Sequence, residues 1–509
     1  MSDTREDRMS TERRPNIIFI LTDDHAAHSI GVYGSVVNRT PRIDEIAANG
    51  FRLDNCFVTN SLCSPSRASI LTGSYSHVNG VYSLFTPIDA GQPTFISQLK
   101  AAGYKTAMIG KWHMGHGGVS DPVGFDYWDI VPAQGEYWNP TFITEEGTRT
   151  VEGYATDIIT DLAIDWVESL EDDGPWAMLV WHKAPHRPWE PKPEHKSMYE
   201  DPVPLPKTFW DDYSTRSASA RRAAMRVADH LTTDDLKEDP PEGLSYEDMA
   251  VWKYQRYMQD YLACVESIDE NVGRLIDWSR DRGDFDDTLL IYSSDQGFFL
   301  GDHGWFDKRL MFEESLRMPF LLSYPRKLEA GQAFDGIVSN VDMAQTILDA
   351  AGVEHHPKMQ GRSFWPDLVG EQDLPPVDGV YYRYWENDDI IHKAPAHYGY
   401  RTKRYKLIYY YNEGFGLPFT LFFLKYPPEW ELYDLENDPD EVNNVYDDPE
   451  YREIREQLKS AMWREQARLG DAPHPSQPIP ADVEDVVVAP QPAIPKINWL
   501  RLPGMPDPE

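Results

Sequence analysis

The sequence predicts an α/β protein: a large, mostly parallel sheet sandwiched by helices, followed by a smaller C-terminal α+β domain of antiparallel strands and a helix. Three observations lead there. Short, unbroken apolar runs alternate with segments of helical period over most of the chain, as in sheets covered on both faces. Four of those runs end in polar, reactive side chains, and an open α/β sheet carries its ligand site at such carboxyl ends. Beyond about Gly370 the texture changes to aromatic, alternating strands and one helix.

Residues 1–14 mix acids and bases and read as a flexible terminus. NIIFILTDD, from Asn16 to Asp24, reads as a buried strand opening into a loop. YKTAMIGKWH (Tyr104 to His113), WAMLVWHKAPH (Trp176 to His186) and TLLIYSSDQG (Thr288 to Gly297) are the next three. Helices are expected over Pro41 to Asn49 behind Thr40 as cap, Thr94 to Ala102 closed by Gly103, Tyr154 to Leu170, and about Met249 to Arg282. Between Arg187 and Asp248 prolines accumulate and a basic run follows, with Arg216, Arg221, Arg222 and Arg226. This is read as a loop-and-helix insertion beside the site, its arginines on a solvated helix face. VYYRYW from Val380 and RYKLIYYY from Arg404 to Tyr411 look like antiparallel strands. Pro449 to Leu469 looks like a helix, with Ile454, Leu458 and Met462 at helical spacing. The expected division is a large domain over 15–370, with the insertion at about 187–248, a subdomain over 371–470, and a proline-rich arm over 471–509. Apolar islands at Val486 to Val488 and Ile497 to Leu500 suggest that the arm lies on something, and homo-oligomer contacts are the expectation.

Composition narrows the function. A chain of 509 residues with 41% hydrophobic content buries a large core. Its 48 basic and 84 acidic residues leave a net charge of −36, which repels nucleic acid and anionic lipid. Three cysteines make no disulfide framework. The longest apolar runs, Ile17 to Leu21 and FGLPFTLFFL from Phe415 to Leu424, fall well short of the roughly 20 residues that span a bilayer. The first segment lacks the apolar core and small-residue cleavage site of a secretory signal, so a cytoplasmic location is expected.

The most informative residues are LCSPSR, where Cys63 precedes Ser64, Pro65, Ser66 and Arg67, followed by the helical segment ASILTG. This resembles the signature of the type I sulfatases, the formylglycine-dependent enzymes of the alkaline-phosphatase-like superfamily. The resemblance runs from about Pro15 to Leu469 in consistent order. It implies that a formylglycine-generating enzyme oxidises Cys63 to an aldehyde whose hydrate supplies a nucleophilic hydroxyl. A serine would leave a stable sulfate ester, whereas a geminal diol leaves a sulfated hemiacetal whose second hydroxyl expels sulfate. A place at the start of a helix also favours an anionic group. Cys56 and Cys264 lack this context and read as ordinary buried thiols.

Asp23 and Asp24 after the first strand, with Asp295 and Gln296 after the fourth, offer only hard oxygen donors, which suit calcium or magnesium better than zinc or copper. Without a cation three clustered aspartates repel one another. The resemblance implies one divalent cation on these four residues, calcium first, with magnesium or manganese as alternatives. Gln296 stands where the family often has Asn or His, and it keeps an oxygen donor. GKWHMG resembles the family segment in which Lys111, with Arg67, holds the hydrate oxygen and His113 takes the proton that triggers sulfate release. His186 in HKAPHRPW matches a sulfate-binding histidine, and Lys308 in GWFDKR matches the lysine on the leaving-group side. No role is assigned to His25, His28, His77, His116, His182 or His303.

The expected activity is hydrolysis of a small sulfate monoester. GWFDKR and FEESLR look most like carbohydrate-acting bacterial members, which favours a mono- or oligosaccharide O-sulfate with aryl sulfates as surrogates. The rivals are a phosphonate monoester or phosphodiester hydrolase of the same superfamily, and a non-catalytic anion-binding protein that keeps Cys63 as a thiol.

Overall fold

A computed structural model describes residues 13–171, 174–371, 375–421 and 423–490. Its strands, in chain order, are β1 (Asn16–Thr22), β2 (Gly50–Phe57), β3 (Lys105–Lys111), β4 (Tyr127–Val131), β5 (Thr141–Thr144), β6 (Gly147–Thr150), β7 (Trp176–Trp181) and β8 (Thr288–Ser294). A two-stranded ribbon follows, β9 (Phe299–Leu300) with β10 (Phe306–Asp307), then β11 (Phe320–Ser323) and β12 (Gln332–Ser339). The last four are β13 (Gly379–Tyr384), β14 (His397–Thr402), β15 (Tyr405–Tyr410) and β16 (Glu429–Asp434).

Ten strands form one mixed sheet in the order β12-β2-β11-β8-β1-β7-β3-β4-β5-β6. Its centre, β8-β1-β7-β3-β4, is parallel throughout. Antiparallel pairing enters at β11 and toward the β5 and β6 edge. The central strands are continuous apolar runs because both faces are covered. Ile17, Phe19 and Leu21 of β1 point into one core with the helices Cys63–Thr72, Phe95–Ala101 and Met343–Ala350, while Ile18 and Ile20 point into the other with Pro41–Ala48, Ala155–Glu168 and Tyr246–Arg282.

The helix starts show where local signals hold and where tertiary contacts replace them. Thr94 caps the Phe95–Ala101 helix through a capping box with Ser97. Thr40 does not cap the Pro41–Ala48 helix. Its hydroxyl turns to Asp44 at 3.1 Å and accepts the Gly31 N–H at 2.9 Å. The open N–H groups of Arg42 and Ile43 are met instead by the Asp269 carboxylate of the long helix, at 3.0 and 2.8 Å.

In the arginine run between 187 and 248, Arg221 is exposed on the short helix Ala218–Arg222 as expected, but Arg216 and Arg222 are not on a solvated face, because the chain folds against the C-terminal part. Arg216 is buried, paired with Asp211 at 2.8 Å and seated over the Phe312 and Tyr433 rings. Arg222 pairs with Asp388 at 3.2 Å.

The smaller sheet runs β13-β14-β15-β16, all antiparallel. The helix Arg452–Leu469 packs on it through Leu458 and Met462. The start of the arm lies on this same sheet: Asp471 accepts bonds from Tyr381 and Arg383, both at 2.7 Å, and Gln477 accepts one from Tyr398, whereas Val487, in the island expected to pack, is exposed. The island at Ile497 to Leu500 lies outside the described residues. Among the described residues no helix is long and apolar enough to cross a membrane.

Candidate functional site

The parallel register of β1 and β8 pairs Thr22 with Ser294, so the residues that follow each strand emerge side by side. Asp24 takes a left-handed backbone (φ 67°), its N–H donating to Asp295 at 3.3 Å and its carbonyl accepting from the Tyr261 hydroxyl at 2.9 Å. Carboxylate oxygens of Asp23, Asp24 and Asp295 come within 4.8 Å of one another, all fully buried. Cys63 is the first residue of its helix, and its Sγ sits 3.3 Å from Asp23 Oδ1.

One helical turn later Arg67 faces the same way. Its Nε lies 3.0 Å from Asp295, its Nη2 2.8 Å from Asp23, and its Nη1 donates to the Lys111 carbonyl at 2.7 Å. Lys111, the last residue of β3, reaches Asp23 and Gln134. Lys308, just after β10, clasps Asp24 at 2.6 and 2.8 Å. Gln296 Nε2 also bonds Asp24, which leaves its buried Oε1 without a hydrogen-bond partner.

His186 gives its Nδ1 side to the Arg187 carbonyl at 2.6 Å, so Nε2 faces the carboxylates, 3.6 Å from Asp24 and 3.9 Å from Asp23. His113 has a left-handed backbone (φ 55°), its carbonyl accepts the Ser64 hydroxyl at 2.6 Å, and its Nδ1 is buried without a partner. The ten positions singled out in the sequence thus converge at one end of the sheet.

Burial would raise Asp23, yet Lys111, His186, Arg67 and Lys308 outweigh it and hold the carboxyl well below the usual range. Asp24 is pushed up to about 6 by burial, against Lys308. Asp295 is pushed up to about 8 by burial and by Asp23. Burial and Asp23 raise the Cys63 thiol well above its ordinary value, which keeps it protonated. Burial and the surrounding cations, Lys111 first among them, drive His113 and His186 well below theirs. The residues fit a hard divalent cation: three carboxylates cluster within reach of one another, burial still holds Asp24 and Asp295 above their ordinary range, and an unpartnered amide oxygen lies beside them.

A second group of charges adjoins Lys308 and was not legible beforehand. Asp307 receives His392 at 3.2 Å, Arg187 at 3.4 Å and Arg309 at 3.4 Å. His392 also bonds Asp389 at 3.0 Å, and Arg187 holds Asp235 through two bonds. Asp307 (φ 76°) and Arg309 (φ 92°) are both in left-handed conformations. The one local signal was three consecutive charges, Asp307 to Arg309, directly after an aromatic pair. His25 and His303 are buried behind the site, the first bonded to Tyr292 and the second to Asp211 at 3.1 Å.

These features define a sulfatase-type site on an alkaline-phosphatase-like fold. The sulfatase family profile matches residues 15–353, and that of the N-sulphoglucosamine sulphohydrolase C-terminal region matches 301–468. The chain belongs to the sulfatase family and is an enzyme that hydrolyses sulfate esters. It is 40% identical over 506 residues to the N-acetylglucosamine-6-O-sulfatase of Bacteroides thetaiotaomicron, covering 90% of this chain and 87% of that one. It superposes with a TM-score of 0.83 on a solved protein in complex with its substrate D-glucosamine-2-N,6-O-disulfate, at 39% identity and over 90% and 98% of the two chains. A phosphonate monoester hydrolase of Agrobacterium radiobacter has a TM-score of 0.69 at 19% identity over 90% and 96% of the chains, a likeness of fold alone.

Proposed function

We propose that this sulfatase removes the sulfate of a carbohydrate O-sulfate, first among them a glucosamine 6-O-sulfate. The observation that carries the reading is the meeting of Cys63, at a helix N-terminus, with three buried carboxylates and three buried cations, in a chain whose 40% identical relative acts on that sugar. A divalent cation, calcium first, fits Asp23, Asp24, Asp295 and Gln296 and supplies positive charge against the sulfate oxygens. Cys63, once converted by a formylglycine-generating enzyme, supplies the nucleophilic hydroxyl.

The other residues have roles that follow from their positions. Arg67 and Lys111 reach across the Cys63 side of the cluster from separate elements and fix charge there before the substrate arrives. His113 is neutral and buried beside them, so a ring nitrogen is free to take the proton that drives sulfate release. His186 commits its Nδ1–H to the Arg187 carbonyl, which turns Nε2 toward the carboxylates; protonated there when the anionic substrate arrives, it would hold a sulfate oxygen. Lys308 donates from the opposite side of Asp24 and stabilises the leaving alkoxide. Sugar hydroxyls beyond it meet a wall of donors and acceptors in Asp307, Arg309 and His392.

A substrate panel tests the reading. N-acetylglucosamine 6-sulfate should have a higher kcat/KM than its 3-sulfate isomer, galactose 6-sulfate, an aryl sulfate and an aryl phosphonate. Faster turnover of the phosphonate than of every sulfate would overturn it.

A further inference from the structure

The segment that leads into Cys63 is held from two directions. Arg383, on the edge strand β13 of the small sheet, donates its N–H to the Thr59 carbonyl at 3.0 Å. From the other side the Val58 N–H reaches the Leu316 carbonyl at 2.9 Å, and the Ser61 hydroxyl reaches the Ser315 carbonyl at 2.9 Å. Residues 58–61 therefore run between the C-terminal sheet and the helix Glu313–Leu316. That helix is itself tied to the small sheet, because Glu313 receives Arg401 of β14 at 3.0 Å and Lys406 of β15 at 2.9 Å.

One hydroxyl crosses from the nucleophile's side of the site to the side of Lys308. Tyr382, also on β13, is fully buried; its oxygen accepts the Ser61 N–H at 3.2 Å and its proton goes to the Arg309 carbonyl at 2.6 Å. A phenol has a single proton, so the bond to a carbonyl fixes its direction and leaves a lone pair for the amide. Ser61 stands two residues before Cys63, and Arg309 directly follows Lys308. Arg309 lies in the left-handed region (φ 92°), which a residue with a side chain keeps only when its surroundings hold it there. The Tyr382 ring stacks on His397 at 5.5 Å between centroids and shares a core with Leu62 and Leu310. Its neighbour Tyr381 points to the opposite face of the strand, where its hydroxyl bonds Asp471.

We propose that Tyr382 is a positioning residue for the reaction: its hydroxyl keeps the Cys63 and Lys308 segments in register, so that nucleophile and leaving-group lysine act on the same ester. The proposal rests on the reading in which Cys63 supplies the nucleophile and Lys308 stabilises the departing alkoxide. Without the hydroxyl, two buried backbone groups lose their partner and the two segments are free to shift. A misplacement of about 1 Å costs on the order of 100-fold in rate. The loss falls most heavily on a poor leaving group, which depends on Lys308, and least on a phenolate that departs with little help.

The test is kcat/KM of the whole protein on 4-nitrophenyl sulfate, phenyl sulfate and N-acetylglucosamine 6-sulfate. Tyr382→Phe keeps the ring and should lose about 100-fold on the phenyl and sugar esters, but about tenfold or less on the nitrophenyl ester. Tyr381→Phe, on the same strand, should lower Tm and leave the ratios among the three substrates as in the parent. Tyr382→4-aminophenylalanine keeps an N–H donor for the Arg309 carbonyl; it should fall between the parent and Tyr382→Phe, and it carries the test alone if the latter does not fold. An equal loss on all three substrates, or no loss, would overturn the proposal. Lys308→Ala separates the proposal from the reading beneath it. A selective loss on the poor leaving groups in Lys308→Ala but not in the Tyr382 variants refutes the coupling and keeps the role of Lys308. An equal loss across the substrates in Lys308→Ala refutes that role and the coupling with it.

Discussion

Two fully buried arginines, Arg67 and Arg383, are built to different ends. Arg383 pairs with a single carboxylate, Asp471 at 2.7 Å, which also accepts from the Tyr381 hydroxyl at 2.7 Å and the Ala472 N–H at 2.8 Å. The guanidinium face lies 3.6 Å from the centre of the Trp385 ring. Burial raises Asp471, but Arg383 and the hydrogen bonds outweigh it and hold the carboxyl below its ordinary range. Arg67 is shared between Asp23 and Asp295, and Asp295 is still pushed up to about 8. The first cluster is closed on a single pair, and the second is open: three carboxylates crowd together, share three cations and leave the Gln296 Oε1 without a partner. Like charges crowded together with carboxyl pKa values pushed up mark a candidate functional site, and a single arginine–carboxylate pair reads as a structural tie.

The largest test of that contrast is chemical. Cys63→Ala should lower kcat/KM on the best sulfate ester by roughly 10⁴-fold or more, measured as released sulfate, while the thermal unfolding profile stays close to the parent's. Retained turnover in a preparation free of host sulfatase would put the open cluster outside the reaction. Exhaustive chelation should come next, lowering activity by at least roughly 100-fold and lowering Tm, with recovery on adding calcium, because the cation's removal leaves the carboxylates uncompensated. Indifference of both readouts to the chelator would contradict the metal assignment.

The closed cluster predicts stability effects instead. Asp471→Asn should cost about 3–5 kcal/mol of unfolding free energy, since it strands Arg383 in the interior. Asp471 has a lowered folded pKa, so its contribution is fully present above the unfolded value of about 4 and fades as pH falls through the folded one. Denaturant melts between pH 3 and 7 should show a shallower acid loss in the variant.

Asp269 gives the smallest effect and the opposite sign. Burial pushes its carboxyl up to about 7 despite the two N–H groups it caps, so folding is penalised as pH rises from about 4 toward 7. Asp269→Asn keeps an acceptor and should change stability by about 1 kcal/mol or less near pH 4, where the folded carboxyl is neutral, while flattening that slope and so gaining on the parent toward pH 7. A steeper slope would show the charged form to be favoured after all.

The parts of the site carried by strand ends were legible in the sequence. Ile17 to Leu21 and Leu289 to Tyr292 are unbroken apolar runs, each followed shortly by acidic or amide residues, Asp23 and Asp24 after one and Asp295 and Gln296 after the other, and parallel pairing brings such ends together. Cys63 and Arg67 were legible as a motif on one helix face. His392 and Asp389 were not, because they reach Asp307 from a loop about eighty residues downstream that has no periodicity to mark it. The Thr40 cap and the solvated setting of Arg216 and Arg222 were misread for a related reason. Asp269 and Asp388 supply partners from far along the chain, and a tertiary carboxylate overrides a local preference. Phe419 was visible only as part of an apolar run, since its ring packs on Phe85 from far earlier in the sequence.

The central claim is that position 63 no longer carries a thiol in the working enzyme. Tryptic mass analysis of the peptide containing Cys63, on protein with measured sulfate release, tests it most directly. The peptide should be about 18 Da lighter than the cysteine form, in proportion to the specific activity across preparations. A wholly unmodified thiol in fully active protein would contradict it.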